Sequence, residues 1–437
     1  MAARTLIASI NRRKVGELRE ENGIWSFAYA PAWLASADSY ALGPGLPLQT
    51  EPLADGSTRR PVQWYFDNLL PEEEQRTLLA KDAKINDADA FGLLAYYGAE
   101  SSGSLTLIAP DVSIPDDAPL RPLPDEALQS RIAQLPQLPL THLAAKRMSL
   151  AGAQHKLAVT IADGLLYEPV GATASSHILK PDHPDPDYPH SVINEFFTMK
   201  LAGRLGLQVP AVDRRYLPAP IYLIQRFDRL PTEAGWQRTH CIDACQLLDL
   251  DKAYKYNQGR VEKLAELANH CRSKPQARVR LFEWLVFNVL TGNGDAHLKN
   301  LSFTVNHEGI ALAPHYDLLS TAAYETRAFG KDSWPEMTEL AWPILGEQRF
   351  GRIQRPLLLE AGKRLQLAKP TCERILNRMT TRIVDESHAL LSEIEGENSE
   401  LMEAQPHDIA ATIAGEMRCL RAIIEIVIRE MAGRLAP

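Results

Sequence analysis

Apolar and polar positions along this chain follow two periods, and the change from one to the other divides it. Near the N-terminus the apolar runs at 6–10 and 15–18 flank the polar tetrad Asn11-Arg12-Arg13-Lys14, which predicts a hairpin. At 24–29 large apolar residues alternate with small ones, predicting a strand with one covered face. The acid-rich stretch 72–81 after Pro71 predicts a short helix. Runs at 157–160 and 165–167 around an Asp163-Gly164 turn, and others at 177–180 and 221–224, predict further strands. Between 191 and 205, Val192, Phe196, Met199 and Ala202 fall on one helical face. From about 235 onward the pattern is helical, over 261–271, 278–290, 356–367, 372–391 and 407–435. Met417, Leu420, Ile424 and Val427 form the apolar stripe of the last helix. In the second of these helices Leu281, Phe282, Trp284, Leu285, Val286, Val289 and Leu290 would bury almost the whole circumference. After it, runs at 301–305 and 310–313 around a turn at 306–309 predict a hairpin.

Strands with helices in this order predict an α+β fold. A strand-rich subdomain is expected over 1–112. The segment 113–140, with prolines at 115, 119, 122, 124, 136 and 139, reads as a linker carrying one short helix at 125–132. Segments 141–232 and 233–437 follow. At 437 residues, 45% hydrophobic and 23% charged, the chain is ordinary globular material for two or three domains. It has no apolar stretch of membrane-spanning length and no signal-peptide core, and its five irregularly placed cysteines point to a reducing compartment, so a cytoplasmic location is expected. His240, Cys241 and Cys245 lack a second pair at zinc-site spacing. A net charge of −8, from 47 basic and 55 acidic residues, argues against wrapping nucleic acid directly but allows contact through a DNA-binding partner.

The chemistry gathers after the apolar helix, where Thr291-Gly292-Asn293-Gly294-Asp295-Ala296-His297-Leu298-Lys299-Asn300 begins by breaking it with two glycines. Asn300 follows Asp295 at the interval of the protein-kinase catalytic loop H-R-D-x-x-x-x-N, where the acid accepts a hydroxyl proton and the amide holds magnesium. The predicted hairpin returns Asp317 beside Asn300, and a carboxylate next to an amide oxygen suits magnesium. Upstream, the loop Ala151, Gly152, Ala153 and Gln154 lies before a strand, as does the phosphate-covering lid of kinases, though it lacks G-x-G-x-x-G. Lys180 ends a strand and is a candidate for the phosphates. Glu195 shares the apolar face of its helix, where a carboxylate is costly unless paired, and a kinase architecture supplies a lysine–glutamate pair.

Asn293-Gly294-Asp295-Ala296-His297-Leu298-Lys299-Asn300, Tyr316-Asp317, Ser149-Leu150-Ala151-Gly152-Ala153-Gln154-His155-Lys156 and Gln225-Arg226-Phe227-Asp228-Arg229 together resemble the HipA family of bacterial serine/threonine-protein kinase toxins, in that family's order and spacing. The resemblance implies a two-lobed protein-kinase-like fold, with 141–232 as the smaller lobe and 233–437 as a mainly helical one. It implies ATP and Mg2+ as cofactors, Gln225 and Phe227 meeting the nucleotide through their backbone, and Asp228 and Gln246 reaching its ribose or phosphates. Many members carry Glu at the place of Gln225. The resemblance further implies autophosphorylation at Ser149, a HipB-like DNA-binding antitoxin reached partly through 1–112, DNA met only through that antitoxin, and a protein substrate such as an aminoacyl-tRNA synthetase. His297 stands where kinases often carry a lysine on the transferred phosphate, and His297 and Lys299 both remain open for that role. The competing readings are a non-catalytic, kinase-shaped interaction protein and a kinase for a lipid or small molecule.

Overall fold

Asn11 and Arg12 both take positive φ, 47° and 69°, which is the two-residue turn whose twist matches paired strands. It joins Arg4–Ile10 to Arg13–Glu21 with Ile10 opposite Arg13. The computed structural model describes residues 3–113, 120–148, 150–152, 154–217, 219–233, 235–404 and 409–437. They fall into two units, neither continuous in sequence. One comprises Met1–Lys180, Ile224–Tyr254 and Ser302–Ala313, the other Pro181–Leu223, Lys255–Leu301 and Pro314–Pro437. These divisions differ from the four consecutive segments read from the sequence.

In the first unit the hairpin is the centre of a five-stranded antiparallel sheet, ordered 53–54, 24–29, 13–21, 4–10 and 105–108. Leu6, Ala8, Ile10, Leu18, Trp25 and Phe27 alternate onto its buried face. Helices Pro61–Asp67 and Ala90–Tyr97 cover that face, with Phe66 5.5 Å from Phe27 and Phe91 edge-on to Trp25 at 5.2 Å. Burying each such ring or aliphatic side chain stabilises the fold by roughly 2 kcal/mol before chain entropy is set against it. Strand Leu157–Ala162 pairs antiparallel with both Leu165–Glu168 and His177–Pro181. The proline-rich stretch adds the short strand Arg121–Pro122 to Leu165–Glu168 and the expected helix Asp125–Ile132. A three-stranded sheet joins Cys241–Asp243, Ser302–Asn306 and Gly309–Leu312, the last two as the expected hairpin with Asn306 opposite Gly309.

The second unit is mainly helical. Helix Ser191–Arg204 buries 11 of its 14 residues. Helix Lys274–Leu290 begins four residues earlier than its apolar pattern, because Pro275 is tolerated in a first turn whose N–H groups have no partner within the helix. Helix Lys369–Ala404 runs for 36 residues. The C-terminal helix is Ala410–Arg421, then the π-helical Ala422–Ile428, then Arg429–Leu435. Beyond the expected hairpin, the mainly helical part after 235 also holds short strands that its pattern did not predict. Strands occupy Gly235–Arg238 and Cys241–Asp243, and Glu339–Ile344 pairs with Glu347–Arg349 across a turn at Leu345 and Gly346, both at positive φ. These strands are too short to establish a period in the sequence. Among the described residues no helix is long and apolar enough to cross a membrane.

Candidate active site

Helix Lys274–Leu290 ends because Gly292 turns the chain at φ 64°. Its Cα is so enclosed that a Cβ there would lie 2.6 Å from both Ala322 and Val427, which only glycine avoids. The polar loop that follows is then tied down atom by atom. Asn293 donates from Nδ2 to Asn288 Oδ1 at 2.8 Å, and its own Oδ1 accepts from the Asp295 N–H at 3.0 Å. The Gly294 N–H donates to Thr321 Oγ1 at 2.7 Å, and Trp342 Nε1 donates to the Ala296 carbonyl at 2.9 Å. The Asp295 carbonyl accepts from the His297 N–H at 2.8 Å and from Asn300 Nδ2 at 3.1 Å. Asp295 and Asn300 are thus linked directly through the amide nitrogen of Asn300.

Tyr316 donates its phenol proton to the Lys299 carbonyl at 2.7 Å, which fastens the residue before Asp317 to the residue before Asn300. Asp317 takes positive φ, 51°, an uncommon conformation for a residue with a side chain. Three residues on, the Ser320 N–H donates to Asn194 Oδ1 at 2.8 Å, while Asn194 Nδ2 donates to the Ser320 carbonyl at 2.9 Å and to Tyr324 Oη at 3.1 Å. Asn194 therefore clamps the segment after Asp317 to the helix that carries Glu195. Glu195 is itself buried. Burial, and then the charges of Glu195 and Asp317, hold the Tyr222 phenol well above its ordinary value, so both carboxylates act on one buried hydroxyl. The donor set of Asn300 and Asp317 is made of hard oxygen atoms and fits magnesium. Among the described residues no group of three or more His, Cys, Asp or Glu gathers to hold a metal alone.

The carboxylate of Asp295 is half-buried, and its Oδ1 accepts a 2.7 Å hydrogen bond from the Tyr256 hydroxyl. The sequence reading missed Tyr256. It lies 39 positions upstream in a polar stretch, and no spacing rule connects it with the loop. Asn194 was also missed, although a polar residue on an otherwise apolar helix face is a usable signal.

In the first unit, Gly152 has φ 105°, Ala151 donates its N–H to Ser102 Oγ at 2.9 Å, and Lys156 Nζ donates to the Ala151 carbonyl at 2.7 Å. Gln154 lies beside them, half-buried. Ser149 and Ala153 lie outside the described residues. Lys180 is buried near the end of strand His177–Pro181, and Gln225 and Phe227 are half-buried.

Asp228 and Gln246 are both engaged within the fold. Asp228 accepts from Arg226 Nε at 2.9 Å, from Arg226 Nη2 at 2.7 Å and from the Gly103 N–H at 3.1 Å, and it lies 2.9 Å from Arg229. Burial opposes its charge, but Arg226 and Arg229 hold its carboxyl below the usual range. Gln246 closes a capping box with Asp243, its Oε1 accepting from the Asp243 N–H at 2.9 Å, and donates from Nε2 to the Tyr65 carbonyl at 2.8 Å. Both side chains thus already carry partners within the fold, Asp228 among arginines and Gln246 in its cap. His240 hydrogen-bonds Ser104 at 2.9 Å and the Leu42 carbonyl at 2.8 Å, and is a buried strut.

Comparison with known proteins gives a consistent result. The HipA N-terminal domain family matches residues 6–108 and the HipA-like C-terminal domain family matches residues 148–387. A Sinorhizobium fredii protein named Y4mE is 32% identical over 97% of this chain and 100% of its own length. The serine/threonine-protein kinase toxin HipA of Shewanella oneidensis is 32% identical over 74% of this chain and 76% of its own. A solved Shewanella oneidensis complex of HipA, HipB and operator DNA has a chain that matches with a TM-score of 0.75 at 26% identity, covering 97% of this chain and 99% of that one. The α+β, kinase-like fold of that protein is the fold of this chain.

Proposed function

This chain belongs to the HipA family, and from that premise we propose that it is an ATP- and Mg2+-dependent serine/threonine protein kinase, the toxin of a pair completed by a HipB-like, DNA-binding antitoxin. The observation that most supports this reading is the 2.7 Å bond from Tyr316 to the Lys299 carbonyl, since it draws together the two segments that bear Asn300 and Asp317.

In this reading Asp295 takes the proton of a protein hydroxyl as that oxygen bonds to the γ-phosphorus of ATP. The bond to the bridging oxygen breaks, and ADP leaves with its electron pair. Asn300 and Asp317 hold magnesium, which when bound supplies positive charge to the phosphates. Lys180, the buried Glu195, and the Ala151, Gly152 and Gln154 backbone are assigned to nucleotide placement, as are the backbones of Gln225 and Phe227. His297, whose N–H donates to the Asp295 carbonyl, braces the loop through its backbone. Lys299 does the same through its carbonyl, which accepts from Tyr316. Ser149, outside the described residues, is assigned as the self-phosphorylation site, and DNA is met only through the antitoxin.

The test is transfer of labelled phosphate from Mg-ATP, by the purified chain and in cell lysate. The wild type is expected to label itself and a small number of bands. Asp295→Ala should lower transfer by at least about a thousandfold while keeping the wild-type melting temperature, because a reacting group is removed from a half-buried loop position. Undiminished transfer by a folded Asp295→Ala protein would overturn the assignment.

A further inference from the structure

The hydrogen bonds described above fix the backbone of the loop but leave the carboxylate of Asp295 free to rotate about its own side-chain bonds. One contact from another part of the chain restrains it: the Tyr256 hydroxyl, 2.7 Å from Oδ1. That distance is typical of a hydroxyl donating to a charged oxygen. The donor is itself held. The Tyr256 ring meets the His297 ring edge-on, with centroids 5.0 Å apart and planes at 83°, and the Lys255 ammonium lies 5.0 Å from the Tyr256 centroid. The preceding residue is tied to the same loop, since the Leu298 N–H donates to the Lys255 carbonyl at 3.2 Å. A dipeptide far upstream thus grips the loop at the reacting residue and again two and three positions after it.

We propose that Tyr256 is the positioning residue for Asp295, its hydroxyl holding Oδ1 so that Oδ2 is the oxygen that takes the proton of the incoming hydroxyl. This rests on the kinase reading given above. The proton passes from the substrate hydroxyl to Oδ2, while the phenol keeps its own proton and only shares it with Oδ1. A carboxylate that must find its orientation anew in every encounter loses the benefit of being placed beforehand, and a misplacement on the order of 1 Å can cost about a hundredfold in rate.

The experiment compares ADP formation from Mg-ATP by the full chain as wild type, Tyr256→Phe, Asp295→Ala and the double variant, with melting temperatures measured alongside. Phenylalanine keeps the ring against His297 and Lys255 and removes only the hydroxyl. Tyr256→Phe should lower kcat by about ten- to a hundredfold with KM for ATP changed by less than about twofold, since the contact acts on the reacting carboxylate and not on nucleotide binding. In the double variant the loss of the hydroxyl should add nothing to Asp295→Ala, because the group it positions is gone. A wild type that forms no ADP overturns the kinase reading, and the positioning role with it. An active wild type matched by Tyr256→Phe overturns the positioning role alone. So does a variant with raised KM at unchanged kcat, or a loss that is additive in the double variant. A rise in kcat would show the phenol competing with the substrate hydroxyl, and would equally overturn it.

Discussion

Glu100 is fully buried, and four cations meet it: Lys146 at 2.9 Å, Arg226 at 3.3 Å, Arg229 at 2.8 Å and Arg238 at 2.6 Å. Burial alone would raise its carboxyl, but the charges of Arg238, Lys146, Arg229 and Arg226 override it and hold the group well below the usual range. Removing that one charge leaves the four cations with one carboxylate fewer among them. Glu100→Gln is therefore expected to cost about 3–5 kcal/mol, as when a buried pair is broken from one side, and a lowered denaturant midpoint with an unchanged slope would register it. A midpoint within experimental error of wild type would show that the cations reorganise. None of this was legible in the sequence. The partners come from 46, 126, 129 and 138 positions away, and no local pattern relates them. The loop 291–300 was legible for the opposite reason: its glycines, acid and amide are set by a local turn whose spacing survives in the text of the chain. Tyr256 falls between these cases, conspicuous only once the fold brings it to Asp295.

At the scale of elements, the long apolar helices and the alternating strands were legible because their periods repeat several times. The hairpin Glu339–Ile344 with Glu347–Arg349 was not, since its strands are short and its register is irregular. The C-terminal helix shows what periodicity omits. Glu416 lies on its buried side, takes a 2.6 Å bond from the Tyr216 hydroxyl and sits 3.7 Å from Arg214. Burial pushes its carboxyl up to about 7 from 4.5, the Tyr216 bond and Arg214 pulling against that and Asp182 adding to it. Asp182, which accepts from the Val192 N–H at the start of helix Ser191–Arg204, is likewise pushed up to about 6 by burial. An acid raised in the fold stabilises it while protonated, so this contribution is whole below pH 4.5 and is lost as pH rises through about 7. Glu416→Gln, which is neutral throughout, should therefore gain stability relative to wild type between about pH 5 and pH 8, by on the order of 1–3 kcal/mol. Thermal melts of both proteins at the two pH values check the sign. A difference independent of pH would mean that Glu416 is charged in the fold throughout.

Over the whole molecule, the sequence yielded the class of fold, and the compact units of the structure cut across the order of the chain. Each unit is assembled from three separate stretches, because strand Cys241–Asp243 recruits the hairpin that follows Leu301 into the first unit, and the chain then re-enters the second at Pro314. Contiguous segments read from composition cannot express such an exchange. The net charge of −8 argues against wrapping nucleic acid directly. The central claim is that Asn300 and Asp317 make one magnesium-dependent nucleotide site. Calorimetric titration of the full chain with ATP, with and without Mg2+, measures this most directly. Wild type is expected to bind ATP at least about tenfold more tightly with the ion present, and Asp317→Ala, melting as wild type does, should lose that enhancement. Equal affinities with and without magnesium in the wild type, or an undiminished enhancement in the variant, would contradict the account.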